Sequence, residues 1–145
     1  MTLIQLIAAV PKLPLAILAV SGAQRQLRAD DLTWLTKVLS NKTNDTSDNS
    51  DERSIETAES WHRAVSVGVR FFSDSKDCLP RSLALYDLLR SRGLKPELCL
   101  GVAKKQGIFA AHAWVEVSGQ AIREPSSVKQ EFSLIAAKEW MQIRQ

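Results

Sequence analysis

Only two of the 145 residues are cysteine, Cys78 and Cys99. Two thiols are too few for a disulfide-stapled scaffold, and no Cys-x-x-Cys pair is present to suggest zinc. The chain also lacks a Lys/Arg-rich arm and any ladder of aromatic and basic residues on which bases could stack. Both absences argue against nucleic acid as a partner. The net charge of +3 is unevenly spread: residues 1–40 carry four bases and two acids, residues 41–60 two and six, residues 61–145 thirteen and eight. A third absence is a long uninterrupted apolar run. Leu3 to Val20 is mostly apolar but contains Gln5, Pro11, Lys12 and Pro14. A lysine at the centre of a spanning helix costs about 2.5–3.5 kcal/mol. No basic residue precedes the run, as a secretory signal requires. The expectation is therefore a cytoplasmic protein with no membrane partner.

What is present is enough for one globular domain over residues 1–145, since 45% of the residues are hydrophobic. Residues 1–40 read as helical: short apolar helices over 2–10 and 13–20, broken near Pro11–Pro14, then a helix capped by Asp30 or Asp31 and reaching Leu39. Asn41 to Arg53 contains no apolar residue and reads as a flexible loop. Residues 54–145 form the remainder. A helix is expected from Ser54 to Arg70, with Ile55, Ala58, Trp61 and Val65 on one face and His62 beside that stripe as a structural histidine. A strong apolar helix is expected from Cys78 to Ser91, with Pro80 in its first turn and Gly93 as its C-cap. Strands follow over 96–102, 108–117 and 121–124, separated by turns at 104–107 and 118–120. A helical tail is expected from Val128 to Gln145, docked by Phe132, Ile135, Ala136 and Trp140. Helices first and an antiparallel meander afterwards make an α+β fold.

Three residues stand where chemistry would need them. Cys78 opens a helix, where the positive end of the helix dipole favours a thiolate; by itself it fits either a nucleophile or a buried thiol. Cys99 lies mid-strand between Leu98 and Leu100 and reads as packing. His112 alternates with Trp114 and Glu116 on one face of its strand, from which it could take a thiol proton. Glu124 ends the next strand, and a tight turn at 118–120 would fold it back near the level of His112. Glu116 shares a strand with His112 at a distance of roughly 13 Å, too far to orient it. A Cys on a helix start, a His on one strand and a carboxylate on the next is the papain-like and transglutaminase-like order. No metal site is expected.

The strings Cys78-Leu79-Pro80-Arg81-Ser82-Leu83-Ala84, Leu88 to Gly93, Leu100-Gly101-Val102 and His112-Ala113-Trp114-Val115-Glu116-Val117 resemble the leader peptidases of lasso-peptide biosynthesis. These are bacterial transglutaminase-like cysteine proteases, and the resemblance covers about residues 54–125. It implies Cys78 as nucleophile, His112 as base and Glu124 where the family usually has aspartate. It also implies a pocket for a small β-branched residue, with Trp114 as a lining candidate, and no cofactor. The implied activity is removal of the leader from a ribosomally made precursor peptide. The implied partners are that precursor, a separate leader-recognition protein and an asparagine-synthetase-like cyclase. A separate recognition protein is expected because residues 1–50 are too few and too helical for a fused recognition module. The rival readings are a transglutaminase-like acyl transferase and a non-catalytic peptide-binding module.

Overall fold

Prolines set where the first long helix begins. Val10–Lys12 makes a single 3-10 turn, and α1 follows over Leu13–Arg28 with Pro14 in its first turn, where a missing N–H is harmless. The computed structural model describes residues 2–4, 10–28, 33–40, 51–70 and 78–135. α1 runs eight residues past the expected end at Val20, because Ala23 continues the buried stripe of Ala16 and Val20 and the residues after it are good helix formers. α2 spans Thr33–Ser40 and buries Leu35 and Leu39; the cap expected at Asp30 or Asp31 lies outside the described residues.

α3 spans Asp51–Val69, three residues longer at its start than the sequence reading. Glu52 needs no apolar partner there, since acidic side chains favour a helix N-terminus. The expected loop therefore loses residues 51–53, and its remainder lies outside the described residues. α4 spans Cys78–Ser91 as the periodicity predicts. It is buried on nearly every side, through Ser82, Leu83, Ala84, Leu85, Tyr86, Leu88 and Leu89. It ends in a paired turn: the Gly93 N–H donates to the Arg90 carbonyl and the Leu94 N–H to Leu89, with Gly93 at φ +78°.

Two long strands form the sheet, β1 over Pro96–Lys105 and β2 over Ile108–Val117, antiparallel and in register from Pro96–Val117 to Lys105–Ile108. β1 runs three residues past its expected end, and the turn shrinks to Gln106 and Gly107. Their φ values of +52° and +82° match the two-residue hairpin whose twist fits the strands. A like pair, Ser118 and Gly119, leads into β3, which is only Gln120–Ala121. The strand expected over 121–124 is thus shorter, and Glu124 lies beyond it. The helical tail expected from Val128 to Gln145 is corrected over its described part, residues 128–135. α5 is a single turn, Val128–Glu131, after which Ser133–Leu134 forms β4 beside Gly101 and Val102 of β1. Residues 136–145 lie outside the described residues.

The sheet order is β3–β2–β1–β4. One face carries Leu98, Leu100, Ala113, Val115, Val117 and Ile122 into a core shared with α1, α3 and α4. The other face carries Cys99 and Trp114, covered by Val128 and Phe132. This second cluster accounts for Gly101. A Cβ there would lie 2.7 Å from the Phe132 Cβ and 2.9 Å from the Trp114 Cζ3, so only glycine lets the two rings close over β1. The fold is α+β, and among the described residues no helix is long and apolar enough to cross a membrane.

Candidate active site

The start of α4 is fixed by a bond to the sheet. The Ser82 hydroxyl donates to the Ala113 carbonyl at 2.9 Å, in a buried setting. On β2 the Val115 carbonyl receives the Ile122 N–H from the β3 side. Carbonyls two residues apart along a strand point to the same edge, so Ser82 replaces a missing ladder donor at Ala113. Cys78 is half-buried and stands four residues before Ser82, about 6 Å along the helix axis. The helix is therefore anchored one residue from His112. Among the described residues no hydrogen bond ties the Cys78 thiol to His112; such contacts often tighten only when substrate binds.

His112 lies opposite Gly101 on β1 and faces away from the main core. The structure brings it to Glu124, with its Nε2 3.0 Å from Oε2 of the carboxylate. Both side chains are mostly covered, at 22% and 11% exposure. The imidazole also stacks on Trp114, with ring centres 5.9 Å apart, and leans on Phe132 at 5.3 Å. Nδ1 is left on the other side of the ring. Glu124 arrives by a turn rather than along a strand. Arg123 adopts a left-handed φ of +56°, which turns the chain after Ile122 and aims the next side chain at His112. That conformation is uncommon and strained for a side chain without local hydrogen-bonding ability.

Glu116 has a different occupation. Its Oε1 accepts the indole N–H of Trp114 at 2.9 Å, and its Oε2 pairs with Lys129 of α5 at 3.0 Å. Trp114 is 1% exposed, so its ring is packed against Phe132 and His112 and offers no surface to a pocket. Cys99 is buried in the same cluster, as its mid-strand position predicts. Sequence reading did not find the parts played by Ser82, Arg123 and Lys129. A serine standing one helical turn from Leu79 and Tyr86, within an apolar stripe, was the one signal available.

His62 is half-buried on α3, with Nδ1 3.4 Å from the Ser66 hydroxyl. Its pKa is pushed down to about 4, first by burial and then by the charges of Arg81, Arg123 and Arg63. It is a neutral structural histidine, but one set among cations that come from three elements. Among the described residues no group of three or more His, Cys, Asp or Glu side chains could hold a metal ion.

A family model described as the transglutaminase-like superfamily matches residues 18–137, most of the chain. The microcin J25-processing protein McjB of Escherichia coli is 40% identical over 60 residues, which is 41% of this chain and 28% of that protein's length. No solved structure matches the chain.

Proposed function

Given that the chain belongs to the transglutaminase-like superfamily, we propose that it is a cysteine peptidase that removes the leader from a lasso-peptide precursor. The observation that carries this reading is the His112–Glu124 pair at 3.0 Å beside a helix that opens with Cys78 and is bonded to the strand at Ala113. The partial likeness to a microcin-processing protein supports peptide processing as the setting.

In this mechanism Cys78, as thiolate, attacks the carbonyl at the junction of leader and core. The C–N bond breaks as His112, an imidazolium, gives its proton to the departing core amine. Glu124 holds Nε2, so that Nδ1 faces the reaction, and it offsets the positive charge while that charge exists. The Cys78 backbone N–H at the open end of the helix is the candidate donor to the oxyanion. Water then attacks the leader thioester as His112 takes one of its protons, the C–S bond breaks, the thiolate is restored on Cys78, and the leader departs as a free acid. The partners that accompany this reading are the precursor, a separate leader-recognition protein and an asparagine-synthetase-like cyclase.

The test is incubation of the full chain with a short precursor taken from the genes that flank its own, read by mass spectrometry. A leader ending in a free carboxylate, lost in Cys78→Ala, is the expected result. Cleavage that survives Cys78→Ala would overturn the assignment. A leader ending in an amide would make the chain an acyl transferase, since an amine would then have taken the thioester.

A further inference from the structure

We propose that Ala103, Ala110 and Ile108 form a subsite beside His112 that takes an apolar side chain from one of the first two residues after the cut. The proposal rests on the peptidase reading above and extends it to substrate choice. The pleat brings these residues together. Alternate residues of a strand share a face, roughly 7 Å apart, so Ile108, Ala110 and His112 follow one another along one face of β2. The strand register sets Lys105 opposite Ile108, Ala103 opposite Ala110 and Gly101 opposite His112. Lys105, Ala103 and Gly101 therefore line the same face of β1.

Side-chain size shapes this surface. Ala103 and Ala110 carry only a methyl group each, between larger groups at both ends of the face. At one end stands His112, with the Phe132 ring leaning on it at 5.3 Å. At the other stand Lys105 and Ile108, the latter 72% exposed. The Phe132 ring centre is also 5.2 Å from the Lys105 ammonium, so this one ring spans the stretch between the two ends. What remains is a shallow dip floored by two half-buried methyl groups, with the Phe132 ring as its side and Ile108 as its outer rim.

Charge and chemistry say what fits there. Lys105 is paired with Glu131 at 2.9 Å, so the charges at this rim offset each other. An apolar side chain gains by leaving water over the methyl groups and the ring, whereas a charged one gives up hydration. In the peptidase reaction His112 gives its proton to the departing amine, while the leader stays on Cys78 as a thioester. The face of His112 therefore meets the segment that follows the cut. An extended chain advances about 3.3–3.6 Å per residue, so a dip one pleat repeat from His112 lies within reach of the first two residues of that segment.

The test uses precursors that carry Leu, Ser or Lys at each of the first two positions after the cut and, for comparison, at the last leader position. The expected result is that Leu exceeds Ser by about tenfold in kcat/KM at one of the two positions after the cut, chiefly through KM, with Lys no better than Ser. Ala110→Leu fills the dip and should remove that preference, while the Ser precursor is cleaved nearly as before. Ile108→Ser should lower the preference about threefold. Phe109→Ser, one residue along on the opposite face and 76% exposed in the wild type, should leave it unchanged. Ile108 is a surface residue, so its variant gives the result where Ala110→Leu misfolds. Binding of C-terminally labelled precursors to full-length Cys78→Ala, read by anisotropy, repeats the comparison without turnover. A Leu-to-Ser ratio unchanged in Ala110→Leu and Ile108→Ser, one altered as much by Phe109→Ser as by Ile108→Ser, or a preference confined to the leader position would overturn the proposal. Cleavage by wild type with no preference after the cut loses the subsite and keeps the peptidase. Leu-selective binding that Ala110→Leu abolishes, in a chain that cleaves no precursor, keeps the apolar site and loses the peptidase reading.

Discussion

His112 is held on three sides: Glu124 takes Nε2, Trp114 lies under the ring, and Phe132 leans on it. Two glutamates stand within this neighbourhood, and they are expected to fail in opposite ways. Glu124→Ala should lower kcat on the precursor by about 10²–10⁴, because the ring loses its orientation and its countercharge. Glu116→Ala should leave the folded enzyme close to wild-type turnover but cost about 1–3 kcal/mol of stability, because it strands the buried indole N–H of Trp114. Steady-state kinetics and urea unfolding on both variants separate the two effects. If Glu116→Ala carried the kinetic loss, the orienting role would move to Glu116. At this scale the choice of Glu124 over Glu116 was legible from strand arithmetic alone, since four residues of extended chain hold Glu116 away from His112. The route by which Glu124 arrives was not legible. It depends on a left-handed arginine, and arginine carries no sequence signal for that conformation.

Among the elements, α4 and the β1–β2 hairpin were readable because each keeps one hydrophobic period over ten or more residues. α5 and β4 were not, since one helical turn and a two-residue strand are too short to show a period. Their placement follows instead from side chains far away in sequence: Lys129 reaches Glu116, and Phe132 closes over Gly101 onto Trp114. The bond between α4 and β2 likewise depends on a long-range meeting. Ser82→Ala leaves the Ala113 carbonyl buried without its partner, and a stability loss of about 1–2 kcal/mol is expected in urea unfolding. Because this bond locates the start of α4 against the strand of His112, kcat should fall as well, while Leu83 and Leu85 keep the helix in the core. A Ser82→Ala enzyme with unaltered kcat would show that apolar packing alone sets that distance.

At the scale of the whole molecule, His62 couples stability to pH. It lies where α3, α4 and the turn after β3 meet, and its folded pKa of about 4 is below the ordinary value of 6.5. Between those values the unfolded chain binds a proton that the folded chain refuses, so stability rises with pH across the window. The contribution is complete above about pH 6.5 and is lost as pH falls toward 4, to a limit of about 3 kcal/mol. Between pH 7 and pH 4 the urea midpoint of wild type should fall relative to that of His62→Gln, which lacks the titrating group. A constant difference would place the coupling elsewhere. This charge environment was the least legible feature of the chain, because Arg63, Arg81 and Arg123 are brought near His62 only by the topology. The aromatic floor beneath His112 has a different consequence. An imidazolium quenches indole fluorescence on contact, and Trp114 stacks on His112 with the ring planes 23° apart. With Trp34, Trp61 and Trp140 replaced by phenylalanine, the emission of the remaining indole would report a proton gained or lost by His112, so that the proposed acid–base role could be watched optically during incubation with precursor.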